Sequence, residues 1–305
     1  MQLLELTNIK MSEKNKDLKE YTIIGVESID SDLFDRQKRI DGWDQTKIQN
    51  STIMVIGAGA TGNELVKNLV LVGIGKIYLI DYDYINPSNL NRCILFNVEN
   101  AKQKEYKADV VKESCANINP NTKVIALKQD LNEVDETLYK KSDVVCSCVD
   151  NIEARLEANN HAYYYQIPFI DSGIDGFFGS IQSVYSKVEE TACLQCNITD
   201  TDLDMMWKKY SCTGQEIDSE NGETSGVMAS IITTTSIIGG LQSQQVLKFL
   251  LGLESFKENK KWNPHIGQPL IGQQLNYNGI LNRFVIVEKL KNPDCWLCSH
   301  NKRSK

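Results

Sequence analysis

This sequence has few histidines, no excess of basic residues and no long apolar run. Only three histidines occur among 305 residues, and the formal net charge is −7 at neutral pH. A negative chain is not attracted to the phosphate backbone, so we expect no nucleic acid partner. The longest weakly polar stretch, residues 226–241, is too short to span a bilayer, so we expect no membrane insertion.

A secretion signal is also missing from the first residues. Met1 to Glu5 show no basic start that leads into an apolar core, so we expect a cytoplasmic protein. The cytoplasm is reducing, and its proteins rarely hold disulfides. The nine cysteines of the chain are therefore expected to be thiols or metal ligands.

Strand-like and helix-like segments alternate between Ile53 and Asp171. The pattern predicts strands near 52–56, 76–81, 122–128, 143–147 and 167–171, and helices near 61–72, 101–117 and 151–165. This alternation is typical of an α/β fold with a Rossmann-like, doubly wound and mostly parallel sheet. Such sheets bind ligands at the carboxyl ends of their strands.

The C-terminal half has a different pattern. A long helix is expected over 226–251, followed by antiparallel C-terminal strands between Leu270 and Glu288. No repeat or low-complexity linker interrupts the chain. Residues 31–305 are therefore predicted to form one domain, preceded by a charged N-terminal arm over 1–30.

A glycine-rich turn follows the first predicted strand. Gly57, Gly59, Ala60 and Gly62 form a Gly-x-Gly-x-x-Gly motif between that strand and a helix. Glycines let the backbone turn tightly and approach a phosphate, and the helix N-terminus presents unpaired N–H groups to it. Asp81 ends the next strand, where an acid usually reaches a ribose hydroxyl. The motif predicts a nucleotide site, and the shortage of histidine favours ATP over a hydride-transfer cofactor.

Four of the nine cysteines form two Cys-x-x-Cys pairs, Cys193 with Cys196 and Cys295 with Cys298. In a reducing compartment this spacing favours metal ligation by thiolates over disulfide formation. Zinc prefers four such ligands in a tetrahedral arrangement. The sequence therefore predicts a structural zinc site with four cysteine ligands.

The chain resembles the MoeB/ThiF and ubiquitin-activating enzyme family from about Asp35 to Cys298. The matching motifs, in order, are Arg36-Gln37, Gly57 to Gly62, Asp81-Tyr82-Asp83, Ser88 to Arg92, Lys107 before Ile118-Asn119-Pro120, Val149-Asp150-Asn151 and the two cysteine pairs. Members of this family adenylate the C-terminal glycine of ubiquitin-fold proteins with ATP, and the resemblance implies the same reaction here. It also implies a homodimer and a ubiquitin-like or sulfur-carrier partner that ends in Gly-Gly.

The resemblance gives three residues a role at the triphosphate. Arg92 would bind phosphates by paired hydrogen bonds and Lys107 as a point charge, because charge moves onto pyrophosphate as it leaves. Asp150 would hold Mg²⁺, which prefers oxygen ligands and bridges phosphates. From the residues alone, Lys107 could equally lie on a solvated helix face, and Asp150-Asn151 could simply cap a helix.

Other residues complete the expected site. By resemblance, Asp81 would bind the ribose and Asn89 a phosphate or the ribose, and Asp83 and Asn151 belong to the same nucleotide-binding set. In this family the arginine that corresponds to Arg36 reaches the nucleotide site of the neighbouring subunit. The resemblance therefore implies that the dimer is part of the active site.

The sequence leaves open whether the activated carboxyl passes to a cysteine of the enzyme. Cys212 lies in the crossover segment 197–225, beside Lys208 and Lys209, which would raise its thiolate fraction. The resemblance favours thioester formation on Cys212, with a conjugating enzyme as an open further partner. The alternative is a MoeB/ThiF-type sulfur-carrier adenylyltransferase that stops at the acyl-adenylate, and a third is a nucleotide-binding scaffold without catalysis.

Overall fold

The computed structural model describes residues 33–198 and 229–299. The predicted N-terminal arm, Cys212 and most of the crossover segment lie outside these residues. Within the described ranges, no helix combines the length and the apolar character that a bilayer crossing needs.

Parallel strands form the first part of a single sheet. They are β1 (Thr52–Ile56), β2 (Lys76–Ile80), β3 (Lys123–Leu127), β4 (Val144–Ser147) and β5 (Phe169–Asp175), in the spatial order β3-β2-β1-β4-β5. β1 lies between β2 and β4 and is parallel to both. β1 to β4 match the predicted segments to within one residue at each end, whereas β5, predicted over 167–171, runs from Phe169 to Asp175.

Antiparallel strands extend this sheet on the β5 side. β6 (Phe178–Val184), β7 (Gln273–Asn278) and β8 (Arg283–Glu288) follow one another in space and complete an eight-stranded sheet. Each is antiparallel to its neighbour. The predicted fold class, a doubly wound and mostly parallel sheet with antiparallel C-terminal strands, is confirmed.

The helices cover both faces of the sheet. They are α1 (Asp35–Lys38), α2 (Gln45–Asn50), α3 (Ala60–Val72), α4 (Val98–Gln103), α5 (Lys107–Ile118), α6 (Thr137–Lys140), α7 (Ile152–Tyr164) and α8 (Ile232–Asn259). Ile53 and Val55 of β1 are buried on the face that α3, α5 and α8 cover. Met54 and Ile56 are buried on the face that α6 and α7 cover. This alternation along one strand separates the two cores.

Two helix predictions were wrong in their bounds. The single helix predicted over 101–117 is two helices, because Lys104 adopts a left-handed conformation with φ of 51° and Tyr106 is extended. The helix predicted over 226–251 is α8. Its N-terminal start is delayed because Ser230 bridges Gly176 in an extended conformation. It continues to Asn259, and Phe256 of its last turn stacks on Trp262 with ring centroids 4.7 Å apart.

Candidate active site and metal centre

A cavity of about 650 Å³ lies at the carboxyl ends of the parallel strands. Ile56 at the end of β1, Ile80 at the end of β2 and Cys148 after β4 all line it. The strand order reverses at β1, which has β2 on one side and β4 on the other. Doubly wound sheets bind their ligands in the crevice at this switch point.

Most of the predicted nucleotide-binding residues meet in this cavity. Its lining includes Gly57, Gly59, Ala60, Asp81, Asp83, Asn89, Arg92, Lys107, Asp150 and Asn151. Of the remaining predicted catalytic or nucleotide-binding residues in the described part of the chain, Gly62 and Arg36 do not line the cavity. Arg36 lies exposed on the short helix α1, so its role toward a neighbouring subunit stays a prediction.

The glycines of the turn differ in what a side chain at each position would contact. Gly57 has a φ of +96°, and a Cβ atom there would lie 2.7 Å from the carbonyl oxygen of Cys148. A Cβ atom on Gly62 would lie 2.0 Å from the carbonyl oxygen of Gly57, whereas one on Gly59 would meet no atom within 4 Å. Gly62 is therefore required for close packing of α3 on the turn and not for lining the cavity, while Gly59 leaves open space beside it.

Asp81 holds the glycine turn in place. Its Oδ2 atom accepts a hydrogen bond of 2.7 Å from the N–H of Ala58, and its Oδ1 atom accepts one of 2.8 Å from the N–H of Asp83. Burial raises the pKa of the Asp81 carboxyl, and Lys107 opposes this shift. The carboxylate predicted to bind a ribose thus also shapes the backbone that faces the cavity.

Lys107 begins α5 and pairs with Asp83. Its Nζ atom lies 2.6 Å from Oδ2 of Asp83, and only 12% of its side chain is exposed. Although burial lowers the pKa of Lys107, the carboxylates of Asp81 and Asp83 more than offset this and raise it. A charged, largely buried lysine on the cavity wall is not the solvated surface lysine of the alternative interpretation.

Arg92 follows a short 3-10 helix, Pro87–Asn89, that its neighbours stabilise. The side-chain oxygen of Asn89 accepts a hydrogen bond of 2.9 Å from the N–H of Asn86. Nη1 of Arg92 donates to the carbonyl oxygen of Ser88 and, at 3.0 Å, to Oδ1 of Asn91. Asn89 therefore fixes the turn that carries Arg92 into the cavity lining.

Asp150 and Asn151 have separate roles at the start of α7. Oδ1 of Asn151 accepts a hydrogen bond of 2.8 Å from the N–H of Ala154, so Asn151 is the N-cap. Asp150 is exposed and lines the cavity. A carboxylate on the wall of this cavity offers the oxygen ligands that Mg²⁺ prefers. The helix-cap interpretation therefore explains Asn151 and leaves Asp150 for the ligand.

Several lining residues were missed by the sequence analysis. They include Gln129, Asp130, Leu131 and Asn132 after β3, Glu153, Arg155 and Glu157 on α7, and Ser172 on β5. The only available signal was their position, since the segment 129–132 follows directly on a predicted strand and Ser172 follows another. No motif singled them out, because the chain brings them together only when the sheet forms.

The four paired cysteines form one compact cluster. Sγ of Cys193 lies 3.8 Å from that of Cys196 and 3.6 Å from that of Cys295, and Sγ of Cys196 lies 3.3 Å from that of Cys298. All four sulfur atoms lie within 4.8 Å of one another. A tetrahedral site with Zn–S bonds of about 2.3 Å has S···S edges of about 3.8 Å. The cluster therefore fits a four-thiolate metal centre and is too open for disulfides.

The fold and the site define a doubly wound nucleotide-binding protein with a second, thiolate-lined centre on one face of its sheet. Residues 34–297 match the model of the ThiF family. The chain belongs to the ThiF family, which confirms the resemblance found in the sequence.

Named relatives extend this result. The chain is 25% identical to the molybdopterin-synthase adenylyltransferase of Salmonella typhimurium over 87% of its own length and 95% of the relative's. It is 30% identical to the ThiS adenylyltransferase of Escherichia coli, over 71% and 78% of the two chains. The SUMO-activating enzyme subunit 2 of Dictyostelium discoideum is 37% identical, but the match covers 49% of this chain and only 22% of that protein.

A solved structure is similar in fold. MccB of Escherichia coli, crystallised with ATP, superposes with a TM-score of 0.63 at 20% identity, over 83% of this chain and 68% of that one. This likeness supports the architecture alone. The family match and the adenylyltransferase relatives together identify the chain as an ATP-dependent adenylyltransferase.

Proposed function

We propose that this enzyme adenylates the C-terminal glycine of a ubiquitin-like or sulfur-carrier protein that ends in Gly-Gly. The observation that carries the proposal is the single cavity that brings together Arg92, Lys107 and Asp150. These residues supply two cations and one exposed carboxylate, the side chains that the transfer of an adenylyl group requires.

The proposed chemistry needs little from the protein beyond position and charge. A carboxylate oxygen of the carrier bonds to the α-phosphorus of ATP, and pyrophosphate leaves with the electrons of the broken P–O bond. Arg92 and Lys107 bind the phosphate oxygens as negative charge moves onto the leaving group. Asp150 would hold Mg²⁺, which would neutralise part of the triphosphate charge.

Three further features belong to the same proposal. The cysteine cluster holds zinc and ties the segment after β6 to the segment after β8. The protein forms a homodimer in the cytoplasm, with Arg36 directed to the neighbouring nucleotide site. Residues 31–305 act as one adenylation domain.

The fate of the acyl-adenylate divides two versions of the function. In the first, the thiolate sulfur of Cys212 bonds to the acyl carbon and AMP leaves, as in ubiquitin-type activation. In the second, the enzyme releases an acyl-adenylate for a separate sulfur donor. The second version is supported by matches that run over 95% and 78% of the molybdopterin-synthase and ThiS adenylyltransferases.

One experiment tests the shared step and separates the two versions. The enzyme is incubated with ATP, Mg²⁺ and ubiquitin-fold proteins that end in Gly-Gly, including ThiS and SUMO, and ATP–pyrophosphate exchange is measured. Exchange that depends on a carrier supports adenylation, and no exchange with any carrier contradicts it. A thiol-sensitive adduct on a non-reducing gel that Cys212→Ala abolishes supports thioester transfer, and exchange without an adduct supports the second version.

A further inference from the structure

A third cation, Arg155, lines the same cavity. The described cations of the lining are Arg92, Lys107 and Arg155. Arg92 and Lys107 come from the segments after β2, whereas Arg155 projects from the second turn of α7, after β4. The reaction proposed above has two anionic reactants, and the first two cations have the triphosphate to neutralise.

Arg155 is held by groups at the ends of two strands. Its Nε atom donates a hydrogen bond of 3.1 Å to the carbonyl oxygen of Val149. Its Nη1 atom lies 3.6 Å from Oδ2 of Asp171 on β5, and its side chain is 19% exposed. The distance to Asp171 is that of an ion pair and is too long for a hydrogen bond. Within the described ranges, the guanidinium therefore uses one of its five N–H donors.

Asp171 is buried, and hydrogen bonds hold the residues next to it. Its residue is only 5% exposed, and its Oδ1 atom has no hydrogen-bond partner in the described part of the chain. Next to it, Oγ of Ser172 lies 3.1 Å from both the carbonyl oxygen of Ser147 and Oε1 of the buried Gln242. A buried carboxylate needs a nearby cation, so Asp171 keeps Arg155 at this wall of the cavity.

Gly173 packs against the guanidinium of Arg155, where a larger side chain would crowd it. A Cβ atom on Gly173 would lie 3.0 Å from Nη1 and 3.1 Å from Nη2 of Arg155. Ile174, the next residue on β5, and Ser230 also line the cavity. A ligand in this part of the cavity would therefore lie close to Arg155.

We propose that Arg155, positioned by Asp171, binds the C-terminal carboxylate of the carrier protein and holds it beside the α-phosphate. The inference rests on the adenylation proposed above. The planar guanidinium matches a carboxylate with two parallel hydrogen bonds. It also offsets the repulsion between two anions in a cavity that Asp81, Asp83, Asp130 and Asp150 already make acidic. When the carboxylate oxygen bonds to phosphorus, its charge is lost and the carrier tail is held less tightly.

The test compares a carrier that ends in a carboxylate with the same carrier ending in a carboxamide. The carrier is the ubiquitin-fold protein that supports the fastest exchange with the wild-type enzyme, and binding is measured with α,β-methylene-ATP present. We expect the wild type to bind the carboxylate form about 10-fold to 100-fold more tightly. In Arg155→Gln this preference falls to within about threefold and the affinity for the ATP analogue changes by less than about twofold, because only the carrier contact is lost.

Two variants and a control complete the design. Arg155→Lys restores part of the preference, and Gly173→Ala reduces it while the charge is kept. If Arg155→Gln does not fold, the reduced preference of Gly173→Ala tests the proposal in its place. Arg39→Gln, which breaks an exposed pair with Asp35 on α1, leaves the preference unchanged.

Two results would contradict the proposal. The role of Arg155 is overturned if a folded Arg155→Gln protein keeps the tenfold preference for the carboxylate. It is also overturned if this variant loses as much affinity for the ATP analogue as for the carrier. In both cases wild-type exchange would still support adenylation. A wild-type enzyme without exchange for any carrier would refute the proposed function, and this inference with it.

Discussion

Nζ of Lys107 lies 2.6 Å from Oδ2 of Asp83, and this ion pair joins the start of α5 to the segment after β2. The main chains meet as well, since the N–H of Lys107 donates a hydrogen bond of 2.9 Å to the carbonyl oxygen of Asp83. A lysine fixed at both its backbone and its side chain presents its charge to the cavity with little loss of entropy on ligand binding.

The first prediction concerns the charge of Lys107. Lys107→Met is expected to raise the dissociation constant for ATP about 10-fold to 100-fold, because it removes a charge-assisted contact to phosphate. The matched control is Lys112→Met, which removes an exposed lysine from the same helix. Calorimetric titration with ATP measures both, and equal affinities in the two variants would be incompatible with a phosphate contact.

The second prediction is a pH dependence. The raised pKa of Lys107 keeps it protonated past the ordinary lysine value of 10.5, so wild-type ATP affinity should hold well into the alkaline range. Asp83→Asn removes one of the two carboxylates that raise this pKa, and the loss of affinity should then begin at a lower pH. Asp109 lies on the same helix as Lys107 and pairs with Lys128 after β3, so Asp109→Asn should leave the profile unchanged. Identical alkaline limbs in wild type and Asp83→Asn would contradict the electrostatic coupling.

The third prediction tests Asp150 as a ligand of Mg²⁺. Asp150→Asn is expected to lower carrier-dependent exchange by about 100-fold or more at ordinary Mg²⁺ concentration, with part of the activity regained as Mg²⁺ is raised. Asp175→Asn changes an exposed carboxylate at the end of β5 that does not line the cavity and should retain full exchange. Full exchange by Asp150→Asn would remove this residue from the site.

The fourth prediction concerns the cysteine cluster. Purified protein should contain one zinc ion per chain, and Cys298→Ser should lose it and lower the melting temperature, because a structural metal site contributes directly to folding. Cys115 lies on the buried face of α5, so Cys115→Ser should keep the zinc even where its melting temperature also falls. Elemental analysis of the two variants distinguishes them. A wild-type protein that contains no metal, and whose melting temperature zinc does not change, would refute a structural metal.

The fifth prediction uses two glycines of one turn. Gly62→Ala forces a Cβ atom against the carbonyl oxygen of Gly57 and should lower the free energy of unfolding by about 1–3 kcal/mol. Gly59→Ala meets open space, so its unfolding free energy should stay within about 0.5 kcal/mol of wild type while its ATP affinity falls. Urea titrations and ATP binding separate the two effects. A stable Gly62→Ala protein would mean that α3 can shift away from the turn.

Local patterns were sufficient for much of the fold. The segment 52–56 was predicted as a strand and is β1, since its apolar residues form the continuous run of a strand buried on both faces. The break at Lys104 was not predictable, because a left-handed lysine depends on how α4 and α5 pack and not on its own propensity. The late start of α8 has a similar cause, since the pairing of Ser230 with Gly176 joins residues far apart in the chain.

By itself, the sequence determined the family, the alternating elements of a doubly wound sheet and the identity of the residues with recognisable motifs. Glycine spacing, paired cysteines and Arg92 are local signals, because each serves a contact within a few residues or a ligand of known chemistry. Only the tertiary structure decided that Arg155 and Asp171 stand together at the cavity, and that Gly62 packs instead of lining it. Those relationships arise when strands distant in sequence become neighbours, and no local pattern records which side chains then meet.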